Sequence, residues 1–159
     1  MIRNTLWTKE GSVQENLPLE NIKALLSSPD HLIWVDIYNA KYEDSLSVLR
    51  DIFNFHPLAI DDALEETHVP KIDDWDDYLC MVFQAINFID QLEIPELLTQ
   101  EVDIFIGKNY ILTFRETQNN TIDKVWDRAM KNNCLSERGS ANILYLLLDE
   151  TASDHIIKT

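Results

Sequence analysis

The first half of the chain alternates between helical and strand-like patterns of apolar residues. Residues 19–26 carry apolar side chains at helical spacing, and residues 32–37 form a β-type run after the Pro29-Asp30 turn. A helix is predicted next, because four apolar side chains fall on one helical face: Tyr42, Leu46, Leu49 and Phe53. Another helix should begin at Pro57 and stop at Val69-Pro70, with an apolar stripe of Ile60, Ala63 and Leu64.

The second half predicts strands followed by helices. Residues 71–75 form one strand, and residues 78–89 are apolar almost throughout, which indicates a central strand covered on both faces. Residues 102–106 and 110–114 flank Gly107-Lys108-Asn109. An antiparallel hairpin is expected there, with Gly107 and Asn109 at positive φ.

Two helices complete the predicted α/β domain. Asn120 or Thr121 is expected to cap the first, whose apolar face consists of Ile122, Val125, Trp126, Ala129 and Met130. Gly139 and Ser140 open the second, which is apolar all round over residues 143–148 and reaches Thr159 without a Gly or Pro stop. Such an uncapped end suggests a piece of a longer chain.

Composition fits one folded domain. The chain has 159 residues, of which 45% are hydrophobic and 26% charged, enough for a real core. Its longest purely apolar run, residues 143–148, is far short of the roughly 20 residues that cross a bilayer, and no signal peptide begins it. We therefore expect a cytosolic chain, with Cys80 and Cys134 as reduced thiols.

The charge balance excludes some partners. With 28 acidic residues against 13 Lys and Arg, the net charge is −15, which disfavours nucleic acid and anionic membrane surfaces. The same surface would attract hard cations such as Mg²⁺ or Ca²⁺, although solubility is the commoner reason for such a charge.

Carboxylates one helical turn apart are the candidate metal ligands. On the helix predicted from Pro57, Asp61 precedes Glu65 by four residues and Asp62 precedes Glu66, so two like-charged pairs repel. A bound cation would reverse the sign of that interaction. Glu150 and Asp154 form a similar pair on the last helix. On spacing alone a solvated acidic face is the preferred interpretation, because runs of surface charge usually mean no more.

Other constellations are weaker. The acidic segment 73–77 lacks the Gly and closing Glu of an EF-hand, so a solvated turn is expected. His56 suits the residue that precedes a helix, although a cluster of His56, Asp61 and His68 is conceivable. Nucleotide-binding and serine-nucleophile motifs are absent from the sequence.

Three segments resemble the cytosolic signature of CorA-type magnesium channels. His56-Pro57-Leu58-Ala59-Ile60-Asp61-Asp62-Ala63-Leu64 is similar to the family's His-Pro-Leu-x-hydrophobic-Glu-Asp-x-Leu. Pro70-Lys71-Ile72-Asp73 resembles its Pro-Lys-Val-Glu, and residues 102–110 resemble the hairpin that follows. The resemblance extends from about residue 30 to the end of the chain.

The resemblance implies a fold and an assembly. The expected fold is an αβα sandwich with a mixed, partly antiparallel central sheet, in which residues 1–139 form the regulatory domain and residues 140–159 begin a long stalk helix. The full-length protein would be a homopentamer in the bacterial inner membrane, and this fragment would meet the membrane only through a missing C-terminal segment.

It also implies a regulatory metal between neighbouring subunits. Asp62 matches the principal interfacial Asp, and Asp61 stands where Glu is usual. Glu150 falls near a further acidic ligand, with Asp154 as a weaker candidate. Mg²⁺, with Co²⁺ or Ni²⁺ as further candidates, would hold the pore closed, and the isolated domain should bind it weakly and conduct nothing.

Three alternatives remain open at this stage. One is a zinc transporter of the same superfamily, in which Zn²⁺ replaces Mg²⁺. Another is a metal-dependent hydrolase that uses Asp61, Asp62 and His68, although we expect no enzyme. The last is an adaptor domain without a metal.

Overall fold

The computed structural model describes residues 1–66, 69–89, 96–131 and 138–158, with side chains described for these except 86–89, 96–98 and 153–158. It contains seven strands: β1 (Ile2–Thr8), β2 (Val13–Glu15), β3 (His31–Ile37), β4 (Lys71–Asp74), β5 (Leu79–Ile89), β6 (Glu96–Ile106) and β7 (Tyr110–Phe114). The helices of the described ranges are α1 (Leu19–Leu25), α2 (Tyr42–Ser47) with a π-helical continuation (Val48–Ile52), α3 (Pro57–Leu64), α4 (Asn120–Met130) and α5 (Ser140–Lys158).

The strands form one mixed sheet in the order β2-β1-β3-β7-β6-β5-β4. The β3–β7 pair is parallel and the other neighbours are antiparallel. This confirms the expected mixed sheet. Residues 79–89 form the interior strand β5, paired with β6 and β4 as a central strand would be, but Leu79 is 39% exposed, so the strand is not covered on both faces throughout.

Alternation along β3 divides the core into two layers. Ile33, Val35 and Ile37 pack on one side with α1, α2 and α3. Leu32 and Trp34 point to the other side, where α4 and α5 cover the sheet. There Trp34 lies against Trp126 of α4, with ring centroids 4.7 Å apart. The αβα sandwich is therefore confirmed.

Two predictions about the starts of helices were wrong: the burial of Tyr42 in α2 and the residue that caps α4. Tyr42 is 56% exposed and does not share the buried face of Leu49. The π-helical segment after α2 explains this, because its wider turn rotates later side chains out of register. The cap of α4 is Asn119, whose side chain accepts hydrogen bonds from the amides of Thr121 at 3.0 Å and Ile122 at 3.2 Å.

The β6–β7 hairpin forms as predicted, but Gly107 and Asn109 contribute to its turn in a different way from the one expected. Neither Gly107 nor Asn109 has a positive φ. Gly107 is needed because the ring of Tyr110 lies against its Cα, where an added Cβ would overlap the ring. Asn109 instead donates from Nδ2 to the carbonyls of Leu26 at 3.1 Å and Ser28 at 2.7 Å.

Gly107→Ala should therefore lower the free energy of unfolding by about 1–3 kcal/mol, as overpacking typically does. Urea denaturation would measure the loss. In a Tyr110→Leu background the same substitution should cost much less, because the ring that it displaces is gone. An equal cost in both backgrounds would contradict this account of the turn.

The last helix packs through one face only. Ile143 and Leu147 are buried against the sheet, whereas Tyr145 is 64% exposed. Its first residue, Ser140, donates from Oγ to the carbonyl of Gly107 at 2.6 Å, and Gly139 has a φ of +76° before it. Among the described residues, no helix has the length and apolarity to span a bilayer.

Candidate metal-binding surface

The helix that carries Asp61 and Asp62 is fixed at its N-terminus by His56. The Nδ1 atom of His56 accepts a hydrogen bond from the amide of Leu58 at 3.1 Å, and its own amide donates to the hydroxyl of Tyr78 at 2.8 Å. Its ring stacks on Trp75, with centroids 4.5 Å apart. His56 is therefore the helix-starting residue that the sequence predicted.

The buried face of α3 sets where its carboxylates lie. Ala59, Ile60 and Ala63 pack against the sheet, so Asp61 is exposed and Asp62 lies at the boundary, with 41% of its side chain exposed. The helix ends at Leu64, before the predicted stop at Val69-Pro70.

The prediction of two repelling carboxylate pairs on this helix is therefore wrong for one of them. Glu65 is its C-cap, with non-helical φ of −108°, and its amide still donates to the carbonyl of Asp61 at 2.8 Å. Glu66 lies beyond the helix altogether. Since the i, i+4 geometry does not extend to Glu66, Asp62 and Glu66 are not neighbours on one helical face.

Asp62 instead has a basic partner on the neighbouring edge strand. The Nζ of Lys71 lies 2.5 Å from Oδ2 of Asp62 and 3.1 Å from Oδ2 of Asp73. The hydrogen bond to Asp62 is the main reason that the pKa of Lys71 is raised. Sequence reasoning considered only the carboxylates of this region and missed Lys71.

A buried carboxyl lies beneath this ion pair. Asp103 of β6 is 5% exposed and lines a cavity of about 10 Å³ together with Asp62, Lys71 and Asp73. Burial, followed by repulsion from Glu101 and Asp62, raises the pKa of Asp103 to about 8. The alternation of Glu101, Asp103 and Phe105 along one face of a strand was the signal available in the sequence.

On the solvent side, Asp62 borders an open acidic groove of about 420 Å³. Its lining residues are Leu58, Asp62, Asp73, Asp74 and Trp75. The turn expected over residues 73–77 is shorter, because Asp73 and Asp74 belong to β4 and only residues 75–77 turn, with Asp76 at a φ of 69° and its amide donating to Oδ1 of Asp74 at 2.9 Å. Carboxylate oxygens facing water in this way suit a hard, partly hydrated cation.

Glu150 lies on the other side of the sheet. It belongs to α5, and its Oε1 is 2.6 Å from Nη1 of Arg128, while Nζ of Lys124 is 4.0 Å from Oε2. A single copy of the chain therefore does not bring Glu150 to Asp61 and Asp62. The side chain of Asp154 lies outside the described residues, as does His68, so the proposed hydrolase set and the His56 cluster are not assembled by what is described.

No group of three or more His, Cys, Asp or Glu side chains within residues 1–66, 69–89, 96–131 and 138–158 is arranged to hold a metal ion. Cys80 is a free thiol, and burial raises its pKa to about 12, so it is a poor thiolate ligand. Cys134 lies outside the described residues.

Comparison with known families decides the relationship. The sequence model of the CorA-like Mg²⁺ transporter protein family matches residues 29–158. The chain belongs to this family. The resemblance drawn from the motifs at His56, Pro70 and the β6–β7 hairpin is thereby confirmed.

Curated relatives of this CorA-like chain are named for metal transport. One relative is YfjQ of Bacillus subtilis, which is named for metal ion transport. The two sequences are 33% identical over 156 residues, and the alignment covers 98% of this chain and 46% of YfjQ. This chain is 26% identical over 125 residues to the cobalt/magnesium transport protein CorA of Thermotoga maritima, with 78% and 35% covered. The chain thus spans less than half the length of these relatives.

Solved structures show the same fold. The soluble domain of CorA from Methanocaldococcus jannaschii superposes with a TM-score of 0.71 at 20% identity, covering 99% of this chain and 59% of that one. The cytoplasmic domain of ZntB from Vibrio parahaemolyticus gives 0.60 at 12% identity, with 92% and 56% covered. At these identities the similarity establishes the fold of the CorA-like chain.

Proposed function

We propose that this CorA-like chain is the cytosolic cation-sensing domain of a divalent-cation channel in the cell membrane. In this proposal residues 1–139 form the regulatory domain and residues 140–159 begin the helix that leads to the pore. Family membership supports a transporter component rather than a metal-dependent hydrolase or an adaptor.

The observation that carries the proposal is the placement of Asp62. Its carboxylate borders an open acidic groove, while the other expected ligand, Glu150, lies on the opposite side of the sheet. A cation that uses both residues must therefore join two copies of the chain. Such a site belongs to an assembly, a homopentamer in the full-length protein, and Asp154 would add to it from the same helix.

Gating would follow from differential binding. Neighbouring acidic surfaces repel each other, and the chain carries a net charge of −15. Mg²⁺ bound between them replaces repulsion by attraction, so it stabilises the closed assembly in which the ligands meet. Loss of Mg²⁺ would shift the population toward an open assembly.

Asp61 would act through a water molecule. It stands where a longer Glu is usual in the family, and its exposed side chain is one methylene shorter. Mg²⁺ keeps several water ligands, so an outer position is compatible with binding. Co²⁺ and Ni²⁺ are candidates for the same ligands. The fold shared with ZntB is compatible with the alternative that Zn²⁺ is the ion sensed.

Sedimentation velocity of the chain across a Mg²⁺ titration that starts from zero tests the proposal. We expect Mg²⁺ to increase self-association. Asp62→Asn should raise the Mg²⁺ concentration required by at least about tenfold, because loss of even a residue that only supports a metal ligand weakens metal binding by that factor. Asp77→Asn is the matched control, because it removes the same charge from an exposed turn.

Equal responses of wild type, Asp62→Asn and Asp77→Asn would contradict the assignment of Asp62. Repeating the titration with Zn²⁺ separates the two ions: association at lower Zn²⁺ than Mg²⁺, with the same dependence on Asp62, would favour the zinc alternative.

A further inference from the structure

Lys71 contacts the carboxylate that the proposed cation would bind. Its Nζ is 2.5 Å from Oδ2 of Asp62, a distance at which the ammonium screens that oxygen directly. Both side chains are partly exposed, 32% for Lys71 and 41% for Asp62, so an ion from solvent can reach the pair. A metal ion and this ammonium compete for the same lone pairs.

A second acceptor is available to the ammonium. Asp73 Oδ2 lies 3.1 Å from the same Nζ and belongs to the same edge strand as Lys71. A small shift of the flexible side chain would leave Lys71 paired with Asp73 alone. Displacement from Asp62 therefore does not strand the ammonium without a partner.

The cavity behind the pair favours a cation. Three carboxyl groups, those of Asp62, Asp73 and Asp103, line it together with the single ammonium of Lys71. Asp103 itself is 5% exposed. The carboxylates of Asp62 and Asp73, which also border the open groove, set two negative charges against the one ammonium, and this excess attracts a cation.

We propose that Lys71 is a tethered competitor for the cation at Asp62: its ammonium holds the Asp62 carboxylate when the divalent ion is scarce and moves to Asp73 when the ion binds. This inference rests on the proposed function, because it concerns the same ligand. Lys71 then helps to set the cation concentration at which the assembly closes.

A purely structural role for Lys71 predicts something different. If the ion pair only pins β4 to α3, removing the ammonium should loosen that edge strand and leave cation affinity unchanged or weaker. If Lys71 competes, removing it should tighten binding. The sign of the change in affinity therefore separates the two roles.

The test is a Mg²⁺ titration of the chain followed by two-dimensional amide NMR, which measures weak binding and reports folding in the same spectra. Lys71→Met should tighten Mg²⁺ binding, followed at the Asp62 amide, by about threefold to fivefold, since a partly exposed ion pair is worth up to about 1 kcal/mol. Lys71→Arg, which keeps the charge, should not tighten it.

Lys108→Met is the matched control, since it removes one positive charge at the exposed tip of the β6–β7 hairpin. It should change the affinity by less than about twofold, as screened distant charges do. Equal tightening by Lys71→Met and Lys108→Met would overturn the proposal, because the general charge would then explain it. No tightening by Lys71→Met would overturn it as well.

The outcomes also separate this inference from the proposed function. Wild-type binding that depends on Asp62 but is unaffected by Lys71→Met leaves the proposed function intact and refutes the competitor. Binding seen only in Lys71→Met, and abolished by adding Asp62→Asn, supports the competitor. No binding in any variant refutes both.

Discussion

Arg115→Leu should destabilise the domain by about 3–5 kcal/mol, the usual cost of breaking a buried ion pair. Arg115 and Asp36 are each fully buried, and Nη1 of Arg115 donates to Oδ1 of Asp36. Asp36 also accepts hydrogen bonds from Nε of Arg3 at 2.8 Å and Oγ1 of Thr113 at 2.6 Å. Removing Arg115 leaves this buried carboxylate with half of its positive partners.

The location of Asp36 explains why the loss cannot be relieved by water. It lies on β3, whose parallel pairing with β7 places Arg115 directly after the neighbouring strand. The guanidinium also sits 4.5 Å from the ring centroid of Tyr38, which excludes solvent from one side. A desolvated carboxylate must then either stay charged at high cost or take up a proton.

Chemical denaturation of wild type and variant would measure the loss. Arg50→Leu is the matched control, because Arg50 pairs with Asp51 on the surface and its removal should change the free energy of unfolding little. The double variant Asp36→Leu with Arg115→Leu should recover part of the loss. A cost below about 1 kcal/mol for Arg115→Leu would place this pair in the class of surface salt bridges and contradict the account.

The second large effect concerns pH. The contribution of Asp103 to wild-type stability should fall as pH rises from about 4 to about 8, with a slope of up to about 1.4 kcal/mol per pH unit. Burial raises the pKa of Asp103 to about 8 from an ordinary value of 3.8. Between these values the folded chain holds a proton that the unfolded chain has released, so raising the pH favours unfolding.

Asp103→Asn should remove this dependence, because the amide mimics the protonated carboxyl. The variant should be about as stable as wild type near pH 4 and more stable than wild type above pH 8. Thermal unfolding in EDTA across this range would measure the difference, with Asp77→Asn as the exposed control. Subtracting the Asp103→Asn curve from the wild-type curve removes the contributions of the titrating groups that both proteins share. Parallel wild-type and Asp103→Asn curves would contradict the burial of a protonated Asp103.

Most of the fold follows from local patterns in the sequence. The run at residues 32–37, the hairpin at Gly107 and the helical face containing Trp126 were predicted because each buries one contiguous set of apolar residues. The long strand β6 was predicted only from residue 102, because its first part, Glu96 to Glu101, includes polar residues. Pairing with β5, from Ile89 opposite Glu96 onward, creates that part of the strand.

The candidate site was less predictable, for two physical reasons. Lys71 meets Asp62 only after β4 folds beside α3, and Asp103 joins them from β6. Alternation along β6 indicates which face Asp103 occupies, but spacing along the chain does not indicate its contact with Asp62 or Lys71. Asp61, Asp62 and Glu150 were named from helical spacing and from motif resemblance, and the separation of Glu150 from the other two by the sheet became visible only in three dimensions. Ligands shared between copies cannot be recognised from the geometry of one chain.

The most direct test of the central claim is a crystal structure of the chain grown with Co²⁺ and measured at the cobalt absorption edge. We predict an anomalous peak within coordination distance of the Asp62 carboxylate, about 2.1 Å, or one water molecule beyond it, facing a carboxylate of a second copy. We also expect Lys71 to have left Asp62 for Asp73. A peak absent from Asp62, with Co²⁺ bound elsewhere on the surface, would contradict the claim that Asp62 senses the cation between copies.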